Sequence, residues 1–451
     1  MDTRSVPTTR RSLASADPAG WDSAVADRRT DRPPALLADA SWYGTLAAAR
    51  NLGAHGVSVV LARDTLVAPA RWSRHVDRTV SCPQPKNSAR FLDWLLRFGS
   101  AEPGHVLYPT SDDVAWIVAA HAAELSRWFR LYAPPLDSLM ALLDKARMEA
   151  DARAAGLDTP ETCVAEDETE VERAGRELGF PLYVKPRAQV AALRLGKGTR
   201  VENPRELLQA WRSQRASGQS NVEASHQAPS LALPMIQTYC AAAERIYTVD
   251  GFVDHASGLY ASLACVKLLQ RPRGSGAGII FEHAEVDPLV DQGLRRLFQA
   301  NGFRGVFDAE FVESGGRKLL IDINPRFYNH MAFEVERGLP LPWLAYLGAI
   351  GDREGLQRAV NASSLAPSGP RAYVHRFPTA LMLGIQPMTR AMNVEDRRRW
   401  RSWLDEYRAS SIDPVHEAGD RGPGLAELAL ELASALRHPR AYLRSLASSV
   451  S

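Results

Sequence analysis

Two apolar runs, residues 305–312 and 318–323, flank Glu313-Ser314-Gly315-Gly316-Arg317, and this pattern predicts an antiparallel hairpin closed by a glycine turn. On a strand, side chains two residues apart share a face. That rule sets Asp322 and Asn324 on one face and turns Ile321 and Ile323 the other way, into a core. Glu310 lies on the first strand, where pairing brings it beside Asp322. Two carboxylates and an amide oxygen meeting in one place are hard oxygen ligands suited to Mg²⁺. Arg326 follows on the same strand, where its planar fork can hold a phosphoryl or carboxylate oxygen. Any half-exposed strand alternates charged and apolar residues, which accounts for Asp322 taken alone. It does not account for acid, amide and arginine in succession after an apolar run.

Upstream cations form a second constellation. Lys185 ends the apolar run Pro181-Leu182-Tyr183-Val184, so its ammonium leaves a buried strand at a defined point. Lys145 stands in Leu142-Leu143-Asp144-Lys145, which opens an amphipathic helix running to about Gly156. Each lysine in isolation is more often a surface residue. The Gly196-Lys197-Gly198-Thr199 loop offers backbone N–H groups to an anion, a weak signal by itself.

The rest of the chain fixes a mixed α/β (α+β overall) class. Strand-helix alternation from Ala35 to about Leu125 implies a parallel sheet. Its first turn, Asp39-Ala40-Ser41-Trp42-Tyr43-Gly44, lacks the glycines of a dinucleotide site. A chain of 451 residues exceeds one core and suggests about three units. We divide it into a polar tail (1–33), an α/β domain (34–135), a larger domain (136–350) with a subdomain at about 165–240, and a mostly helical extension (351–451). The polar stretch from Gln214 to Ser230 reads as a surface loop. With 54 basic and 52 acidic residues the net charge is only +2, which argues against a nucleic-acid binder working by bulk electrostatics. The run Arg397-Arg398-Arg399-Trp400-Arg401 has acidic neighbours and reads as a solvated helix face. The four cysteines are scattered, without a CxxC pair, and no apolar stretch reaches the ~20 residues of a membrane span. A cytoplasmic protein without a membrane partner is the expectation.

With these residues quoted, the chain resembles the ATP-grasp superfamily over about Pro34 to Ile350, and in particular predicted carboxylate-amine ligases related to the carbamoyl-phosphate synthase large subunit. The motifs run in the family's order: Pro109-Thr110-Ser111-Asp112-Asp113, Leu143-Asp144-Lys145, Val184-Lys185-Pro186, the glycine loop, Ile236-Gln237-Thr238-Tyr239, Phe307 to Phe311, and Asp322 to Arg326. The resemblance implies an ATP-grasp fold with an N-terminal preATP-grasp domain. Lys145 and Lys185 would contact ATP phosphates, and Gly196 and Gly198 would belong to the lid. Gln237, Thr238 and Tyr239 would form the adenine-reading hinge, with Glu244 on the ribose. Glu310, Asp322 and Asn324 would hold Mg²⁺, with room for Mn²⁺. Arg326 would stabilise an acyl phosphate, assisted by Lys267 or Arg273. The family usually carries Glu where Asp322 and Thr238 stand, and a lid richer in glycine. The implied reaction joins a small-molecule carboxylate to an amine, with a homodimer left open. Two further readings are a biotin-carboxylase-like activation of bicarbonate, where His330 replaces the family's glutamate base, and a non-catalytic ATP-binding module.

Overall fold

The computed structural model describes residues 32–40, 43–64, 68–188, 190, 198–219, 229–240, 245–272, 276–363, 369–388 and 392–447. Strands β1 (Ala35–Ala38), β2 (Val59–Arg63), β3 (Arg78–Ser81), β4 (Val106–Pro109) and β5 (Arg130–Leu131) form an all-parallel sheet in the order β3-β2-β1-β4-β5. Helices α1 (Tyr43–Ala54), α2 (Ser88–Ala101), α3 (Asp112–Ala120) and α4 (Ala122–Leu125) connect them. Ala35 and Leu37 enter one core with α1, whereas Leu36 and Ala38 enter another with α2 and α3. Burial on both faces is why β1 is uniformly apolar rather than alternating. The expected tail lies outside the described residues except for Arg32 and Pro33; the Pro33 carbonyl accepts from Tyr346 Oη at 2.8 Å.

The helix expected from Leu142 is two helices, α5 (Leu136–Leu143) and α6 (Lys145–Ala154). Asp144 separates them because its extended backbone breaks α5 while its side chain caps α6, accepting from Ala146 N at 3.2 Å. Next come β6 (Thr162–Val164), α7 (Glu168–Leu178), β7 (Leu182–Lys185), β8 (Thr199–Val201), α8 (Pro204–Gln219) and β9 (Met235–Thr238). Their strands make an antiparallel sheet ordered β6-β9-β7-β8, with Val171, Ala174, Leu207 and Trp211 packed on Leu182, Val184 and Ile236. Of the loop expected from Gln214 to Ser230, residues 214–219 belong instead to α8, which buries Gln214, and residues 220–228 lie outside the described residues.

The largest sheet is ordered β14-β13-β10-β11-β12-β15-β16. It comprises β10 (Ile246–Asp254), β11 (Leu259–Arg271), β12 (Ala277–Ala284), β13 (Arg304–Ser314), β14 (Arg317–Asn324), β15 (Ala372–Val374) and β16 (Ser411–Ile412). Helix α9 (Pro288–Ala300) covers one face of it through Val290, Leu294, Leu297 and Phe298. Helices α10 (Ala332–Glu336), α11 (Leu341–Ile350), α12 (Arg353–Ser363), α13 (Arg376–Ile385), α14 (Val394–Glu406), α15 (Gly422–Arg437) and α16 (Pro439–Ala447) complete the described chain. The residues after 350 are largely helical, yet β15 and β16 from this stretch extend the sheet. Arg398, Arg399 and Arg401 are exposed on α14. Among the described residues no helix is long and apolar enough to cross a membrane.

The β13–β14 hairpin turns at Gly315 and Gly316, with φ of 57° and 74°, values that favour two glycines in a tight hairpin turn. Beyond β14 the chain passes under α1, where Gly44 permits the contact: a Cβ there would stand 2.3 Å from the Tyr328 carbonyl oxygen. Backbone cannot yield as a side-chain tip can. Gly44→Ala is therefore expected to destabilise the protein by about 1–3 kcal/mol, read as a lower thermal midpoint. Gly384→Ala, inside α13 with open space around the added carbon, should leave the midpoint unchanged or raise it. The reverse ranking would contradict this packing.

Candidate active site

Cross-strand register decides which side chains share a face. Glu310 of β13 stands opposite Asp322 of β14, and Asp308 opposite Asn324. On the other side Glu310 faces Thr248 and Asp308 faces Asp250 of β10, while Thr248 faces Cys265 of β11. One face of four adjoining strands therefore carries Asp322, Asn324, Asp308, Glu310, Thr248, Asp250, Cys265 and Lys267. The alternate residues Phe307, Ala309, Phe311, Val249 and Ile323 fill the core beneath.

The expectation for Ile321 is corrected. The register slips between Glu310 and Phe311, whose partners are Asp322 and Leu320, so Ile321 is the extra residue of a bulge. The bulge lets Leu320 and Ile323 both face the core while Asp322 faces outward. Ile321 packs instead with Ile246, Val312 and Leu319.

Every oxygen group in the expected Mg²⁺ set is met by a cation of the chain. Lys145, the first residue of α6, donates to Asp322 Oδ1. Lys267 Nζ donates to Glu310 Oε1 at 2.7 Å. Arg326 Nη2 donates to Asn324 Oδ1 at 2.9 Å, and Asn324 Nδ2 donates to Asp308 Oδ2 at 3.0 Å. Burial disfavours the Asp322 carboxylate, yet Lys145, then Lys185 and Arg326, hold it below the ordinary range. Lys267 is held above its ordinary value because Glu310, with Asp308 and Asp322, outweighs desolvation. Burial pushes both Asp250 and Asp308 upward, and the charge of Asp250 pushes Asp308 further.

Tertiary contacts aim these cations. Arg187, just beyond β7, grips Asp144 through two hydrogen bonds of 2.5 and 2.7 Å, and its carbonyl accepts from Lys145 N at 3.0 Å. This clasp ties the exit of β7 to the start of α6 and brings Lys185 towards Lys145. Burial and the Lys145 charge lower Lys185 to about 8, against the pull of Glu149 and Asp322. Lys185 Nζ lies 3.7 Å from Glu149 Oε1, which also accepts from Gln237 Nε2 at 2.7 Å. Arg326 forms a fork with Asp112 at 2.7 and 3.3 Å, so the β4–α3 turn of the N-terminal sheet orients it.

Two of the residues expected to form the hinge have their backbone donors engaged. Thr238 N donates to the Glu161 carbonyl at 3.0 Å and Tyr239 N to the Pro181 carbonyl at 3.2 Å, so both backbone donors are occupied. The Tyr239 ring lies 6.3 Å from that of Tyr183 and under the Arg200 guanidinium at 4.5 Å. Gly198 abuts the Tyr183 ring, where a Cβ would come within 2.3 Å of a ring carbon. Gly196, Glu244 and Arg273 lie outside the described residues.

Sequence reasoning passed over Asp308, Asp250, Glu149, Arg187 and the partnership of Asp112 with Arg326. Asp308 had a visible signal, since it alternates with Glu310 on one strand. Asp250 had another, as a lone acid within an apolar run. Glu149 and Arg187 acquire meaning only through tertiary contact.

No family model matches the chain. It is 30% identical over 212 residues to D-alanine--D-alanine ligase of Stutzerimonas stutzeri, a span of 44% of this chain and 66% of that relative. It thus covers slightly less than two thirds of the relative's length. Among solved structures, biotin carboxylase of Campylobacter jejuni superposes with a TM-score of 0.54 at 16% identity, covering 70% of this chain and 71% of the other. The L-amino acid ligase of Bacillus licheniformis gives 0.53 at 15% identity, over 71% and 75%. N5-carboxyaminoimidazole synthetase of Staphylococcus aureus gives 0.51 at 14%, over 70% and 78%. The fold is an ATP-grasp fold.

Titration of Lys185 tests the electrostatics directly. NMR of the reductively ¹³C-methylated protein should show Lys185 titrating at about 8. Lys145→Met removes a like charge and should raise that value, whereas Glu149→Gln removes an opposite charge and should lower it. Shifts of the opposite sign would contradict the arrangement.

Proposed function

We propose that this chain is an ATP-dependent ligase joining a small-molecule carboxylate to an amine. In this reading ATP is a substrate: the carboxylate takes its γ-phosphoryl group, releasing ADP, and the amine then displaces phosphate from the acyl phosphate to leave an amide. The observation that carries the proposal is the opposition of Glu310 to Asp322 and of Asp308 to Asn324 on one sheet face, with Lys145, Lys185, Lys267 and Arg326 converging there. Two carboxylates and an amide oxygen suit a hard dication, and their present partners are cations, so the site already carries the charge pattern that Mg²⁺ would continue. Glu310, Asp322 and Asn324 would hold the ion, which when bound would neutralise phosphate charge.

The remaining work falls to the chain. Lys145 and Lys185 approach from two elements, and their ammonium groups would take phosphate oxygens in exchange for carboxylates. Arg326, braced by Asp112, would present its fork to the acyl phosphate as charge develops. Lys267, held charged by Glu310, would support the same oxygens. Gln237, Thr238 and Tyr239 would border the base. Glu244 and the Gly196–Gly198 lid would act on ribose and phosphates, and Arg273 would assist Arg326.

The test is ADP release on incubation with ATP, Mg²⁺ and a panel of carboxylates and amines. Release should require a matched pair, and Asn324→Ala should lower turnover by about 100-fold or more. Turnover unaffected by that substitution, or persistent failure to bind ATP, would overturn the proposal. Affinity for ATP should also depend on pH through Lys185. Its ammonium is charged below about 8 and lost above it, so the ATP dissociation constant should climb as pH rises through that value. The slope approaches roughly tenfold per pH unit if only the charged form binds. Lys185→Arg should flatten the profile; a flat wild-type profile would contradict the role.

A further inference from the structure

Beside the oxygen-rich site lies a cluster of a different chemical character. Asp250 of β10, Cys265 of β11, His330 after β14 and Glu334 of α10 are all buried, and one donor atom from each lies within 4.8 Å of the other three. His330 Nε2 is 3.2 Å from Asp250 Oδ2, and Cys265 Sγ is 3.5 Å from the same oxygen. Four donors on a tetrahedral zinc ion, at bonds of roughly 2.0–2.3 Å, stand roughly 3.3–3.8 Å apart. The two short separations are of that size.

Charge supplies the second argument. Asp250 and Asp308 are buried opposite each other and share a side-chain hydrogen bond, which requires that one of the two carboxyls keep its proton. The neighbouring fixed cation is Arg337, which donates to Glu334 Oε1 at 3.0 Å and to the Ala264 carbonyl at 2.9 Å. Tyr328 Oη donates to the other Glu334 oxygen at 3.1 Å, and Thr248 Oγ1 lies 2.9 Å from both Asp250 Oδ2 and Cys265 Sγ. With the thiol ionised, Asp250, Cys265 and Glu334 supply three negative charges. A dication and the Arg337 guanidinium balance them, with His330 neutral. Without a cation, buried carboxylates at this density must retain protons.

We propose that Asp250, Cys265, His330 and Glu334 form a second metal site that binds one zinc-class divalent ion. A thiolate and an imidazole favour such an ion over Mg²⁺, which suits the all-oxygen set formed by Glu310, Asp322 and Asn324. The ion would cross-link β10, β11, the segment after β14 and α10, and so fix the backbone that carries Arg326. The site does not depend on the ligase reading.

The experiment uses the full chain, purified without an affinity tag. After dialysis against metal-free buffer, mass spectrometry of the metals should find about one zinc per chain. Protein stripped with chelator and given Co²⁺ should develop a near-ultraviolet thiolate-to-cobalt band, and C265S should lack it. Should C265S fail to fold, zinc content and the wild-type band decide the matter. Zinc below about a tenth of an equivalent together with no cobalt band would overturn the proposal. So would a band that survives in folded C265S, since it would arise from another cysteine.

Discussion

Hydrogen-bond register between β13 and β14 is the constraint on which the rest of the site depends. A strand slipped by one residue turns every side chain to the opposite face. Here a two-glycine turn sets the pairing and one bulged residue, Ile321, resets it. Without the bulge, Leu320 and Asp322 would share a face, and either an acid would enter the core or a leucine would stand among the oxygen-bearing side chains. With it, the core beneath stays apolar and four oxygen-bearing side chains stand together above.

Gathering so many carboxylates in a half-buried place is unfavourable unless cations accompany them. The chain brings those cations from four separate places: the start of α6, the end of β7, the middle of β11 and the segment after β14. Each is in turn held by a partner, Lys145 by the Arg187 clasp, Lys185 by Glu149, Lys267 by Glu310 and Arg326 by Asp112. Asp112 reaches in from the N-terminal sheet, which gives that sheet a direct part in the geometry. Lys185 is buried beside Lys145, and burial together with that like charge disfavours its ammonium form.

The hairpin was legible because its information is local: period-two alternation, two adjacent glycines, and an acid, an amide and an arginine in succession. β1 was equally legible as an uninterrupted apolar run between turn residues. The bulge at Ile321 was not, because any isoleucine in a strand looks alike to a periodicity argument. Asp144 was misread as part of a helix, although an acid between an apolar stretch and a lysine is an ordinary capping residue. β12 went unrecognised among polar and glycine-rich neighbours, since its support comes from pairing with β11 and β15. The partnerships of Asp112 with Arg326, and of Glu149 with Gln237 and Lys185, join residues far apart in the chain. No spacing rule reaches them.

The sheet face thus holds two neighbouring sets of groups, an oxygen set facing the lysines and a thiol-imidazole-carboxylate set behind it, with Asp308 between them. The central claim is that the oxygen set exchanges its protein cations for a metal ion when nucleotide enters. A crystal structure with Mg²⁺ and a non-hydrolysable ATP analogue measures this directly. The account predicts oxygens of Glu310, Asp322 and Asn324 at roughly 2.0–2.1 Å from the ion, with Lys145 moved from Asp322 to a phosphate. A complex in which Lys145 stays on Asp322 and the ion binds elsewhere would contradict it.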